Sequence, residues 1–312
     1  MNDRDAAAVE WLLRSDEPAV RYLTRRDVLG EDIASGQEQI LRGPKVQALL
    51  SEQPPVHPYR KWYGAHWRLV SLVELAVPET EPRALAALES VLAWLTGQAH
   101  RRAVKTVSGL SRVHASMEGN ALAVAARLGR ARDPRVELLA RSLVEWQWPD
   151  GGWNCDVDAT GYRSSFHESL IPMWGLVEYG RSTGAEWALQ AAARTAELFL
   201  DHRIFRNLRT GEVIDRRWLS LRYPPYWHYD VLAALLLLGR AGRSADPRAA
   251  DAVAHLRERQ HADGRWSPGG YWWSVPGTKS GPPDVVNWGR SGPNEMITLN
   301  ALRALRSAAA LG

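Results

Sequence analysis

The sequence predicts an all-α protein built from repeated helical hairpins in two layers. The first observation is an internal repeat. Asp133-Pro-Arg opens one copy and Asp246-Pro-Arg the other; Gln follows 14 residues on (Gln147, Gln260) and Trp 20 residues on (Trp153, Trp266), with nine identities over the two 21-residue windows. Self-similarity at matched spacing signals a repeat architecture. The second observation is an alternation of two helix types, both with helical period. Amphipathic stretches cover about 82–97, 133–147, 185–202 and 246–260, and more apolar ones cover about 65–76, 116–128, 166–179, 227–239 and 294–309. The apolar set opens on polar clusters such as Met117-Glu-Gly-Asn, Phe166-His-Glu-Ser and Trp227-His-Tyr-Asp. A helix that is apolar nearly all round is buried on most sides. The apolar set therefore forms an inner layer and the amphipathic set an outer one.

Along the chain, residues 5–29 read as two short helices broken at Asp16-Glu-Pro18, and another helix spans roughly 36–51. The Pro-rich stretch Gln53-Pro-Pro-Val-His-Pro58 separates an N-terminal helical extension, 1–58, from a single domain, 59–312. In the Gln…Asp-Gly-x-Trp element, Gly allows a sharp turn, Gln caps backbone groups there, and Trp packs between neighbouring hairpins. These are structural jobs. Two connections are longer. Residues 204–225 carry a hairpin signal at Arg209-Thr-Gly211, and 267–292 are rich in Gly, Pro, Ser and Trp, ending near Gly281-Pro-Pro283. Long connections of this kind serve as binding loops or plain surface excursions.

Composition narrows the class. The chain has 15 Trp against 3 Phe, which suits repeat cores and apolar ligand cavities. Net charge is +4, with Arg dispersed among acids, so no nucleic-acid footprint stands out. Attraction to an anionic head group stays open. The single cysteine, Cys155, excludes an internal disulfide framework and a Cys-rich zinc site. No signal-peptide pattern opens the chain and no apolar run approaches the roughly 20 residues of a membrane span, so a reducing, cytoplasmic setting is expected. P-loop, dinucleotide and nucleophile-elbow motifs are absent. Oligomeric state is not legible.

On these residues, Gln147 to Trp153 and Gln260 to Trp266 resemble the QW repeats of squalene–hopene cyclases, within the terpenoid-cyclase and protein-prenyltransferase α/α toroid family. The resemblance covers about 60–312. It implies an α/α toroid of about five hairpins with a funnel-shaped apolar cavity, here lined by Trp67, Trp174, Trp227 and Tyr229. It also implies that inner-helix N-termini face that cavity, bringing His66, His114, Glu118, His167, Glu168, His228, Asp230 and Glu295 to one mouth. The implied function is a terpenoid-cyclase-like enzyme acting by acid–base chemistry on an isoprenoid or similarly apolar substrate. Asp156-Val-Asp-Ala-Thr160 is similar to the family's D-x-D-D-T acid motif, with Asp158 at the proton-donating position and Ala159 departing from it. Tyr162 and Arg163 are positioned to hold a head group.

Three alternatives stand beside this. A non-catalytic protein would sequester an apolar compound in the same funnel. A metal-dependent single-toroid enzyme would use imidazole and carboxylate for a divalent ion. Paired carboxylates would suit carbohydrate processing, which the repeat disfavours. No motif demands a cofactor. The prenyltransferase zinc site includes a thiolate, and Cys155, about a dozen residues before His167 in a loop, is not counted into the site.

Overall fold

Acidic caps followed by proline start the repeat helices. Asp133 accepts a hydrogen bond from the Arg135 N–H with Pro134 in the first helical position, and Asp246 does the same for Arg248 ahead of Pro247. Both residues suit a helix start, since the acid satisfies a free N–H and proline has none to lose. The computed structural model describes residues 2–33, 36–52, 55–277 and 282–309. Gln53 and Pro54 of the expected linker, and Gly281, lie outside these residues.

In chain order the helices are α1 (Asp3–Leu13), α2 (Pro18–Leu23) running into a π-helical turn (Thr24–Leu29), α3 (Gln37–Ile40), α4 (Pro44–Leu50), α5 (Ala65–Glu74), α6 (Pro82–Thr96) and α7 (Gln98–Arg102). After a two-stranded hairpin, β1 (Lys105–Val107) and β2 (Leu110–Arg112), come α8 (Ser116–Arg127), α9 (Pro134–Trp146), α10 (Phe166–Thr183), α11 (Glu186–Asp201), α12 (Val231–Arg240), α13 (Ala250–Glu258) and α14 (Glu295–Ala309). The protein is all-α apart from this hairpin and isolated bridges. Among the described residues no helix is long and apolar enough to cross a membrane.

The two helix types pack as two layers. α8 lies against α5 and α10, α10 against α12, and α12 against α14; α12 is buried from Val231 to Leu238 without a break. The amphipathic helices cover them: α6 on α5 and α8, α9 on α8 and α10, α11 on α10, and α13 on α12 and α14. The N-terminal helices α1 and α2 pack on α14, and α4 packs on α5.

The two repeat elements share their turn and their Gln and Trp contacts within the element, and differ in what the Gln reaches on the next helix. The Gln147 amide donates to Gly151 O (2.8 Å), Ala191 O and Thr195 Oγ1 of α11; the Gln260 amide donates to Gly264 O (3.1 Å) and to Asp5 of α1. Trp153 donates its indole N–H to Leu143 O and Trp266 donates to Leu256 O. Gly151 and Gly264 take the left-handed turn, φ 95° and 82°. Each element thus ties one outer helix to the next, and for the second copy the next is α1.

Three elements depart from the sequence reading. The helix expected over 36–51 is two, because Gly43-Pro44 breaks it and Pro44 restarts it. The helix expected from 227 starts at Val231, because Asp230 turns its carboxylate onto the Ala233 N–H (2.8 Å) as the cap. The β1–β2 hairpin was unforeseen; Ser108 and Gly109, φ 52° and 75°, form its turn. At 204–214 the expected hairpin is present as the Arg206–Val213 bridge.

Candidate functional site

Two contacts assemble a polar group at the N-terminal ends of α8 and α10. The first is a parallel bridge between Arg112 and Asn154, with the Val113 N–H donating to Asn154 O at 3.0 Å. It lays the strand leading to His114 beside the loop carrying Cys155. The second is the close approach of α8 to α10. A Cβ on Gly119 would meet Pro172 N at 2.6 Å, and one on Gly175 would fall on the Gly119 carbonyl oxygen. Glycine at both positions lets the backbones touch, and Pro172, inside α10, offers no N–H at the contact.

His114, Cys155 and Glu168 meet there, with one ligand-type atom of each within 4.8 Å of the others. His114 Nδ1 lies 3.1 Å from Glu168 Oε1, and Glu168 Oε2 accepts from the Ser116 N–H at 3.1 Å. Glu168 is buried, whereas the His114 side chain is 60% exposed. The Cys155 sulfur and then Glu168 hold the His114 proton and raise its pKa to about 10, against the effect of burial. In a nucleophilic relay the imidazole stands between thiol and carboxylate, which separates sulfur from oxygen by roughly 6 Å or more. Here the three atoms lie within 4.8 Å of one another, closer than such a relay allows, which suits a shared ion.

A pair of imidazoles lies beside this group. The ring centroids of His167 and His228 are 6.2 Å apart. His167 Nδ1 accepts from the Tyr229 N–H at 2.9 Å, so the neutral ring carries its proton on Nε2 and donates from there. His228 Nδ1 faces Pro225 O at 3.3 Å, so its proton sits on Nδ1 and Nε2 is free to accept. His228 is stacked between Trp227 (4.2 Å) and Trp272 (3.7 Å). Burial, then His167, lowers its pKa to about 3, and burial lowers His167 too. The Lys61 ammonium lies 5.0 Å from the Trp227 ring and feels the Glu168 carboxylate, while burial lowers its pKa. Tyr59, raised by burial, faces Glu168, Cys155 and Glu118. Glu118 itself is bound to His100 at 2.6 Å.

Of the residues expected at the mouth, His114, His167, Glu168, His228 and Trp227 are brought together, with Glu118 alongside. Others are elsewhere. Asp158 is exposed in a loop, where the Thr160 N–H and hydroxyl bind it and hold its pKa down, the reverse of what an alkene-protonating acid needs. Tyr162 is 70% exposed, with Arg163 over its ring. Trp174 sits midway along α10, bonded to Glu178. Trp67 is buried and bonded to Tyr59 O, and Tyr229 is buried on Phe199 with its hydroxyl on Ile204 O. Asp230 is a helix cap, raised to about 7 by burial against the Ala233 N–H. Glu295 faces Lys45 at 3.8 Å. His66 is buried and receives the Asn120 amide on Nε2 at 3.4 Å.

The expected funnel is also different. The enclosed cavity between α5, α10, α12 and α14 holds about 30 Å³, room for a water rather than an isoprenoid. Trp174 lines it, but Trp67, Trp227 and Tyr229 do not. An open groove of about 750 Å³ is walled by His57, Tyr59, Lys61 and Pro283, and two of these residues, Tyr59 and Lys61, feel the charge of Glu168.

The repeat separates scaffold from site. Ser165 and Asn294 both donate an N–H to the preceding repeat Trp carbonyl, and Ser169 and Thr298 both accept from that Trp N–H. In that register His167 and Glu168 correspond to Met296 and Ile297, and Asn154-Cys155 to Ser267-Pro268. The fold therefore tolerates apolar residues where the first copy carries the polar ones. No family model matches the chain, and no curated protein does.

Acid should weaken the fold through His66. Burial, then His100, lowers its folded pKa to about 3 against 6.5 for a free imidazole. A lowered folded value means the stability is present above pH 6.5 and is lost as pH falls towards 3. At pH 5 the loss is roughly 2 kcal/mol. Urea unfolding at pH 7 and pH 5 should show His66→Gln losing less stability on acidification than the unsubstituted chain, by about that amount. Equal losses would mean His66 is charged in the folded state.

Proposed function

We propose that this chain is a metal-dependent enzyme on a single ring of helical hairpins, with His114, Cys155 and Glu168 holding a zinc-type ion. The convergence of one nitrogen, one sulfur and one oxygen within 4.8 Å carries the reading. Thiolate, imidazole and carboxylate are the donors such an ion takes, and three protein donors leave a position for substrate or water. The Ser116 N–H on Glu168 Oε2 fixes the carboxylate, as an outer partner should. When bound, the ion would supply Lewis acidity and lower the pKa of a water or thiol reaching it.

The chain's own groups supply the rest. With both rings neutral, His228 Nε2 offers a hydrogen-bond acceptor and His167 Nε2 a hydrogen-bond donor, which orient a bound substrate. The indole N–H groups of Trp227 and Trp272 are buried without a hydrogen-bond partner among the described residues. With Lys61 they make a donor-rich, aromatic wall suited to a substrate with an apolar body and an acceptor group, an isoprenoid derivative among them. Such a substrate would approach through the open groove, since the axial cavity is too small. In the ring we infer, α1 and α2 form the last hairpin, supported by the Gln260–Asp5 bond and the packing of α2 on α14.

The acid-initiated cyclase reading has less support, because Asp158 is exposed and the cavity between the inner helices, about 30 Å³, is too small for an isoprenoid. Elemental analysis of the purified chain tests the proposal. About one zinc-type ion per chain, removed by chelator and restored on adding zinc, is the expected result. A chain that binds no such ion at micromolar concentration refutes it.

A further inference from the structure

Arginine collects at the end of the inner helices away from Cys155. Arg127 and Arg240 are the last residues of α8 and α12, Arg303 and Arg306 lie late in α14, and Arg26 comes from the π-helical turn. All five line one basin of about 390 Å³, together with Asp27 and Glu74. Glu74 is shared by Arg240 (2.8 Å) and Arg127 (3.1 Å), Glu178 takes Arg127 at 2.8 Å, and Asp27 is shared by Arg26 and Arg303. Five guanidinium groups thus face three carboxylates. Glu79, on the neighbouring groove, still leaves a positive surplus. Arg303 is 8% exposed, and its Nε has no hydrogen-bond partner among the described residues. Its other nitrogens reach Asp27 and Asn300, so one buried donor is left over; an unmet buried donor is costly, and the cost falls when an anion arrives.

We infer that this basin binds a phosphate group. Guanidinium forks match phosphate oxygens two at a time, and the basin has the size of a small-ligand site. Burial lowers the Arg303 pKa against the pull of Asp27, in keeping with a shortage of counter-charge. Part of the arginine serves the helix ends, as Arg306 does by donating to Val28 O. That role needs no surplus of charge and no unpaired Nε. The inference does not rest on the metal reading, since the two sites share no residue.

The test follows thermal unfolding of the full chain in inorganic phosphate against sodium chloride at matched ionic strength. Saturating phosphate should raise the Tm by roughly 2–4 °C over chloride. Arg26→Gln and Arg306→Gln, both at exposed positions, should fold and lose most of that shift. Cys155→Ser should keep it. Glycerol 3-phosphate run beside inorganic phosphate distinguishes the head of a larger ester from the free ion, and tighter binding of either upholds the site. No shift beyond chloride, or a full shift in both arginine variants, overturns it.

Discussion

Cys155→Ser and His114→Ala should each abolish metal uptake while leaving the fold intact. Removing an outer partner of a metal ligand costs about 10- to 100-fold in affinity, and removing a ligand costs more. Neither side chain holds the core: His114 is 60% exposed and Cys155 sits in a loop. Their loss should change stability by under about 1 kcal/mol. Binding must also displace the His114 proton, whose pKa is about 10, so affinity should fall as pH falls from 8 to 6, roughly tenfold per pH unit for each proton released. Isothermal titration with zinc at two pH values checks both statements. Uptake by Cys155→Ser equal to that of the unsubstituted chain would remove sulfur from the site.

The second large effect lies in the helix contact that positions Glu168. Gly175→Ala places a methyl group on the Gly119 carbonyl oxygen, where backbone rather than a flexible side chain must give way. Overpacking of this kind should cost about 3 kcal/mol. Because α8 carries Ser116 and α10 carries Glu168, forcing the helices apart should also weaken zinc binding. Thermal unfolding and zinc titration of the one variant read both effects. Unchanged stability would mean that the two helices do not depend on this contact.

The sequence made the helices and the repeat legible because their causes are local. Asp-Pro-Arg starts, Gly turns and the Gln and Trp partners all lie within one 21-residue window. The Pro44 restart and the Asp230 cap were equally local signals, and reading them would have placed both helix ends correctly. Long-range contacts account for the remainder. Cys155 joins the site through the bridge from Arg112 to Asn154, which needs the β1–β2 hairpin, and only the Ser108-Gly109 turn hinted at that hairpin. His114, His167, Glu168 and His228 were legible as polar residues at or just before helix starts, a local signal. Asp158 was misplaced because a short acid motif looks the same in an exposed loop as in a buried site. The small volume of the cavity between α5, α10, α12 and α14 follows from side chains on four helices, and no spacing along one helix reports it.

The central claim is one sulfur, one imidazole and one carboxylate on a single ion. X-ray absorption of the zinc-loaded chain measures this directly. One sulfur at about 2.3 Å with nitrogen or oxygen neighbours at about 2.0–2.2 Å is the predicted shell. A shell of nitrogen and oxygen alone in the unsubstituted chain would contradict it.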